Sequence, residues 1–157
     1  MISQTARFVR RLVSSLAIIT LAGCASSGPA STATSDRDTD HAVAVALQQV
    51  GVPYRYGGSS PSGFDCSGLV HYSYARAGRS VPRTTATLWS GLQPVSKGEM
   101  RVGDVLFFRI SGKMSHVGLY VGDDKFVHAP SSGKTVTVAS LRSDFYSNAF
   151  IRAGRPY

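Results

Sequence analysis

Cysteine is scarce in this chain, which has only Cys24 and Cys66 among its 157 residues. One disulfide is therefore the most that the chain could form, and the paired, closely spaced ligands of a structural zinc site are missing. Long apolar runs are scarce too, since the apolar stretch at residues 12–20 is too short to span a bilayer comfortably. A permanent transmembrane helix is therefore the weaker interpretation of that stretch.

Acidic residues are also few, with nine against 17 lysines and arginines, which gives a formal net charge of +8. Residues 1–23 hold three of the arginines and no acidic residue, so the remainder carries +5. This excess favours non-specific attraction to an anionic cell-wall polymer or membrane surface, and a merely soluble cationic surface is the alternative. The hydrophobic fraction of 43% is ordinary for a globular protein, and the length suits one domain.

The first 23 residues have the organisation of an export signal. Three arginines precede the apolar stretch, and the small residues Leu-Ala-Gly at 21–23 precede Cys24 as a cleavage site. This tetrapeptide resembles the lipobox of bacterial lipoproteins, in which the cysteine becomes the N-terminus and carries the lipid. The following Ala25 resembles the outer-membrane sorting signal of Gram-negative lipoproteins. The resemblance implies lipidation at Cys24 and anchoring on the periplasmic side of the outer membrane, where nucleic acid is excluded as a partner.

Lipidation of Cys24 would leave Cys66 without a disulfide partner in an oxidising compartment, and an unpaired exported thiol needs a chemical reason. A disulfide between the two cysteines is the alternative, but it would cross-link only a flexible segment. Residues 25–40 are predicted to be this flexible segment, because they lack large apolar side chains. Cys24 and the tether thus occupy residues 24–40, and the globular domain occupies residues 41–157.

The globular domain begins with helical patterns and ends with strand patterns. Asp40 is a candidate cap for a first helix that ends near Gly51, and Asp65 is a candidate cap for a second helix from Cys66 to Gly78. Strands are predicted for residues 105–109, 116–121, 125–129, 135–139 and 150–153. This order predicts an α+β domain in which N-terminal helices pack on a central antiparallel sheet of about five strands.

Cys66, His116 and His128 form the candidate catalytic group. The dipole and free N–H groups of a helix N-terminus favour a thiolate and suit the oxyanion of a tetrahedral intermediate. His116 is the candidate base, and His128 is the residue that orients it. A three-residue loop at residues 122–124 would pair Gly118 with His128 and place both imidazoles on one face. A two-residue loop without a bulge would separate them.

Each of these residues alone has a plainer interpretation, as a buried structural thiol or a satisfied strand histidine. Zinc ligation by the three is a further alternative that their spacing does not favour. His41 and His71 are interpreted as ordinary histidines, because His71 lies five residues beyond Cys66 and points to another side of the helix. Four aromatic residues are predicted to be core rather than a substrate-binding surface: Phe107, Phe108, Phe126 and Phe145.

Six motifs closely resemble those of the NlpC-type cysteine peptidases, papain-like hydrolases of bacterial peptidoglycan. They are GVPYRYGG at 51–58, FDCSGLV at 64–70, VPRT at 81–84, GDVLFF at 103–108, SHVGLYVG at 115–122 and FVHA at 126–129. Together they cover nearly all of residues 41–157 and imply a papain-like NlpC-type fold. The short single-domain lipoprotein layout is most similar to the outer-membrane murein endopeptidases of Gram-negative bacteria.

The resemblance also implies roles for individual residues. Cys66 is the nucleophile, His116 is the base and His128 is the third polar residue. Tyr54 matches the family tyrosine whose hydroxyl lies near the thiol and assists the oxyanion. Three more residues match positions that line the groove: Asp65, Ser67 and Arg83.

The implied reaction is hydrolysis of an amide through an acyl-thioester, with no metal or organic cofactor. Its substrate would be a stem peptide or crosslink of peptidoglycan, cut at a γ-D-glutamyl–diaminopimelate or a diaminopimelate–D-alanine bond. The rival interpretations are a wall amidase, a lipid or acyl transferase of related fold, and a non-catalytic wall-binding scaffold. A lytic enzyme of this kind also implies a restraining partner, an adaptor or a protease, which no motif identifies.

Overall fold

The structure is a computed structural model, and it describes residues 30–156. The first element in this range is helix α1, Ala30–Gln48. The predicted export signal and Cys24 lie outside these residues. The helix begins well before the expected cap at Asp40, so residues 30–40 of the predicted tether belong to this helix. The physical reason is that neither glycine nor proline interrupts the sequence from Ala30 until Gly51, which has a positive φ of 94°.

Helix α2, Cys66–Arg76, carries the thiol at its first residue. The carboxylate of Asp65 accepts a hydrogen bond from the backbone N–H of Gly68 at 2.6 Å, as the predicted cap requires. Gly68 is needed here, since a Cβ at this position would lie 1.9 Å from the carbonyl oxygen of Gly58. The first turn of α2 therefore packs directly on the backbone of the preceding glycine-rich loop.

Shorter elements surround these two helices. They are β1 Ser59–Ser60, β2 Gly63–Phe64, α3 Thr85–Gly91, β3 Gln93–Val95, a 3₁₀ turn Lys97–Glu99, β4 Val105–Ile110, β5 Lys113–Gly122, β6 Lys125–His128, β7 Thr137–Ser140, α4 Asp144–Ala149 and β8 Phe150–Arg155. Strands β1 and β2 pair within the glycine-rich loop.

A six-stranded antiparallel sheet with the order β3-β8-β4-β5-β6-β7 is the centre of the domain. The α+β prediction is confirmed, and the five predicted strands are all present. The one strand of this sheet that the sequence did not predict, β3, contains Pro94 and lies at an edge, where a residue without an N–H is tolerated. None of the helices within residues 30–156 is long and apolar enough to cross a membrane.

Two hydrophobic clusters cover the two faces of the sheet. Val105 and Phe107 belong to the cluster with α1 and α2, whereas Leu106 and Phe108 belong to the cluster beside α4. Three of the four predicted core phenylalanines are fully buried, but Phe145 is 61% exposed, so that prediction was wrong. Phe145 lies on the short helix α4, whose neighbouring residue Tyr146 contacts the core instead.

The hairpin between β5 and β6 differs from the predicted three-residue loop. Asp123 and Asp124 form a two-residue turn with φ of 51° and 54°, the conformation that tight hairpins favour. The register shifts between Tyr120 and Gly122, so Val121 is an extra residue in β5. The extra residue compensates for the shorter loop. Leu119 therefore pairs with Val127, which is the same register that would pair Gly118 with His128.

Candidate active site

The two strand histidines contact each other directly. His116 Nε2 lies 2.8 Å from His128 Nδ1, and the rings meet at an interplanar angle of 79°. His116 is 8% exposed and His128 is 1% exposed, so water competes little for this hydrogen bond. The compensated register thus brings the imidazoles together on one face of the sheet, as the hairpin argument predicted. Because Nε2 makes this contact, the Nδ1 atom of His116 remains available to exchange a proton with a group in the cleft.

Both imidazoles are neutral at pH 7. Burial lowers the pKa of His116 to about 4, and burial together with the charges of His116 and Lys134 lowers the pKa of His128 to about 3. A consistent set of tautomers has His116 Nε2–H donating to His128 Nδ1, an assignment that rests on the hydrogen-bond network. His116 Nδ1 then has a free lone pair, which is the form that a general base requires.

Tyr146 is a member of this network that sequence reasoning missed. Its hydroxyl lies 3.4 Å from His128 Nε2, and its ring packs edge-on against that imidazole with 5.3 Å between centroids. Helix α4 positions it, and Ser143 caps that helix by accepting a hydrogen bond from the Tyr146 N–H. The Ser143-Asp144 pair is a helix-start signal that could have revealed this element.

Cys66 is a partly buried thiol that lines the cleft. Burial raises its pKa, and hydrogen bonds from the backbone of Val117 and Ser67 and from the Thr85 side chain lower it by less. The Thr85 hydroxyl lies 3.9 Å from the sulfur. The expectation that the helix N-terminus would favour a resting thiolate is therefore corrected, because desolvation outweighs these donors. The resting pair is a neutral thiol and a neutral imidazole.

Tyr54 lines the cleft beside Cys66. Its backbone N–H donates to the Lys134 carbonyl at 2.8 Å, and the neighbouring Pro53 carbonyl accepts from Phe64. Burial first, and then the charges of Cys66 and Asp65, raise the pKa of its hydroxyl. The hydroxyl therefore keeps its proton and can donate a hydrogen bond to a developing oxyanion.

The three residues matched to groove positions form one ion-pair cluster. Arg83 donates to the two carboxylate oxygens of Asp65 at 2.9 and 2.8 Å, to Ser67 Oγ at 3.0 Å and to the Gly58 carbonyl at 3.2 Å. Asp65 Oδ2 also accepts from the Gly57 N–H at 3.0 Å. The cluster therefore fixes the start of α2 to the glycine-rich loop, and the same side chains line a cavity next to the thiol.

Two cavities meet at Cys66. The first has a volume of about 320 Å³ and includes His116, Lys134 and Tyr146 in its wall, whereas the second, of about 470 Å³, includes the Asp65 cluster. Both contain Tyr54, Cys66 and Ser115. The thiol thus lies in the middle of an extended cleft that could hold a chain running from one cavity to the other. Within residues 30–156 no group of three histidine, cysteine or acidic side chains is arranged to hold a metal ion.

Comparisons with known proteins agree with this architecture. A family model described as the NlpC/P60 family matches residues 51–155. Murein DD-endopeptidase MepH of Escherichia coli is 41% identical over 115 residues, which are 69% of this chain and 42% of that protein. The bifunctional muramidase/DL-endopeptidase CwlT of Bacillus subtilis is 39% identical over 114 residues, 70% of this chain and 34% of that protein. The chain therefore spans less than half of either curated relative.

Solved structures of the same fold cover a similar part of the chain. The NlpC/p60 domain of the peptidoglycan hydrolase SagA superposes with a TM-score of 0.65 at 34% identity, covering 75% of this chain and 98% of that domain. A protein similar to lipoprotein of the NLP/P60 family, from Staphylococcus aureus, superposes with a TM-score of 0.69 at 33% identity. That match covers 76% of this chain and 41% of the staphylococcal chain.

Proposed function

The chain belongs to the NlpC/P60 family, and on that premise we propose that it is a cysteine endopeptidase that hydrolyses an amide bond in peptidoglycan stem peptides or crosslinks. The observation that carries the proposal is the buried hydrogen bond of 2.8 Å between His116 and His128, in the wall of a cleft that also contains Cys66. A nucleophile, its base and the base's orienter are the three parts that such a hydrolase requires.

The proposed reaction starts from the neutral pair. His116 Nδ1 takes the thiol proton as the Cys66 sulfur attacks the carbonyl carbon. The oxyanion is stabilised by the Tyr54 hydroxyl and by the first-turn N–H of Cys66, which has no intrahelical acceptor. The C–N bond then breaks, and the imidazolium protonates the leaving amine. Water attacks the acyl-thioester and gives a proton to His116. The C–S bond then breaks, the Cys66 sulfur takes that proton back from the imidazolium, and the acid product leaves as its carboxylate.

Digestion of purified muropeptides tests this function. The wild-type protein should release fragments with a new amine on diaminopimelate, identified by mass, and the Cys66→Ala variant should release none. Equal product from both proteins, or none from either, would refute the proposed role of Cys66. A new lactyl end on muramic acid would instead identify a wall amidase, the rival reaction of the same chemistry. The fragment masses also distinguish the γ-D-glutamyl bond from the D-alanyl crosslink.

We also propose that the protein is lipidated at Cys24 and anchored at the periplasmic face of the outer membrane. The support is the lipobox-like sequence before Cys24 and the Ala25 that follows it. A lipid anchor and a short connection would hold the enzyme at a high effective concentration near the wall. Membrane fractionation of the wild type and Cys24→Ser variant tests this idea. A Cys24→Ser protein that still partitions with outer membranes would contradict the anchor.

A further inference from the structure

Lys134 is the one charged side chain among the described residues in the wall of the His116 cavity. The rest of the wall consists of uncharged side chains, which include the apolar Ile110 and Phe145 and the hydroxyls of Ser131 and Ser132. His116 itself is neutral at pH 7, because its pKa is about 4. This half of the cleft therefore has a single cation among uncharged hydroxyl and apolar side chains.

The backbone holds Lys134 at this position although its side chain is exposed. Its carbonyl accepts the hydrogen bond from the Tyr54 N–H at 2.8 Å, and its own N–H donates to the Ser131 carbonyl at 3.2 Å. The next residue, Thr135, forms an antiparallel bridge with Pro53. The ammonium is close enough to the site for its charge to lower the pKa of His128. The ion pairs within the described part of the chain do not include Lys134.

The chemistry decides which part of a substrate reaches this cation. His116 must protonate the leaving amine, so the fragment on the amine side of the scissile bond has to lie beside His116. Only one of the two cavities that meet at Cys66 includes His116, and it is the cavity that contains Lys134. The acyl fragment then lies on the opposite side, beside the Asp65 cluster. This assignment rests on the proposed endopeptidase function.

We propose that Lys134 binds a carboxylate on the amine-side residue of the substrate and so selects for leaving residues whose carboxyl group is free. In a γ-D-glutamyl–diaminopimelate bond and in a D-alanyl–diaminopimelate crosslink, the amine belongs to diaminopimelate. That residue has a carboxyl group next to each of its amines and an aliphatic chain between them. The chain can pack on Ile110 and Phe145 while a carboxylate accepts a hydrogen bond from the ammonium.

The test compares two substrates that differ only on the amine side. One muropeptide has the free carboxylate beside the amine of the scissile bond, and the other has a carboxamide there. We expect the wild type to prefer the carboxylate by roughly 5- to 20-fold in kcat/KM. This range lies between the contribution of an exposed ion pair and that of a hydrogen bond to a charged group. Lys134→Met should bring this ratio close to one, Lys134→Arg should retain most of it, and Lys134→Glu should reverse it.

The ratio is a sound readout because any loss of folded enzyme lowers both rates equally. Lys97→Met is the matched control, since Lys97 lies in the 3₁₀ turn and outside both cavities at Cys66, and it should keep the wild-type ratio. A wild-type ratio near one, or a Lys134→Met enzyme with the wild-type ratio, would overturn the assignment of Lys134. Failure of the wild type to cut either muropeptide would instead refute the endopeptidase function.

Discussion

Replacing His128 by alanine tests how much the imidazole pair contributes to catalysis. The substitution leaves the Nε2–H of His116, which is 8% exposed, without its acceptor at 2.8 Å. An unsatisfied buried donor costs about 1–3 kcal/mol, which corresponds to about a 5- to 150-fold loss in kcat/KM if the bond is needed in the transition state. The upper part of this range is expected, because in the proposed reaction an imidazolium forms on His116 and His128 would stabilise it.

The assay is steady-state hydrolysis of a muropeptide, with the rate of Cys66 alkylation as a second readout. His128→Asn should recover part of the loss, since the side-chain carbonyl can accept from His116. His71→Ala is the matched control, because His71 bonds the Val81 carbonyl at 2.8 Å away from the cleft. It should lower stability while leaving kcat/KM near the wild-type value. A His128→Ala enzyme within about threefold of wild type would refute the orienting role.

Three further predictions follow from the same geometry. Because the pKa of His116 is about 4, activity should fall only as the pH drops through about 4, and a pH–rate profile that loses activity near 6.5 would contradict a buried neutral base. Since both imidazoles of the pair stay neutral when folded but take up protons when unfolded, the free energy of unfolding should decrease from about pH 6.5 towards 4, measured by urea denaturation. Tyr54→Phe should lower kcat by about 10- to 100-fold with little change in KM, and an unchanged kcat would remove its hydroxyl from the oxyanion site.

A structural prediction concerns Arg83, whose replacement by methionine removes both hydrogen bonds to Asp65. The ion pair is only partly buried, so the loss in the free energy of unfolding should be about 1–3 kcal/mol. Thermal denaturation measures it, with Arg142→Met as the control for the more exposed pair with Asp124. Equal stability of the two variants would show that the Asp65 cluster does not hold the glycine-rich loop in place.

The sequence predicted much of this structure because its signals were local. The Asp65 cap and the five core strands each depend on residue types within a few positions of one another, and the pairing of the two histidines depends on one hairpin of neighbouring strands. The start of α1 was missed because small polar residues without glycine or proline are compatible with either helix or coil. Tertiary contacts that a local pattern does not contain also support the helix, such as the ion pair between Asp38 and Arg79 at 3.9 Å.

Two features of the site are not contained in the residue pattern of the sequence. The bulge at Val121 and the shorter turn at Asp123 and Asp124 have opposite effects on register, so the predicted pairing was right although the predicted loop was wrong. The pKa of Cys66 depends on how completely the surrounding elements exclude water. A helix N-terminus can be recognised from the sequence, but the desolvation that outweighs it comes from packing.

The raised pKa of Cys66 has a consequence for the chemical durability of the protein. Peroxides and disulfides react with thiolates, so a cysteine that rests as the neutral thiol is attacked slowly. In the proposed reaction the anion exists only during the moment when His116 removes the proton and a substrate carbonyl fills the cleft. Burial thus lets an unpaired cysteine survive in oxidising surroundings, at the expense of slower attack than a permanent thiolate would achieve.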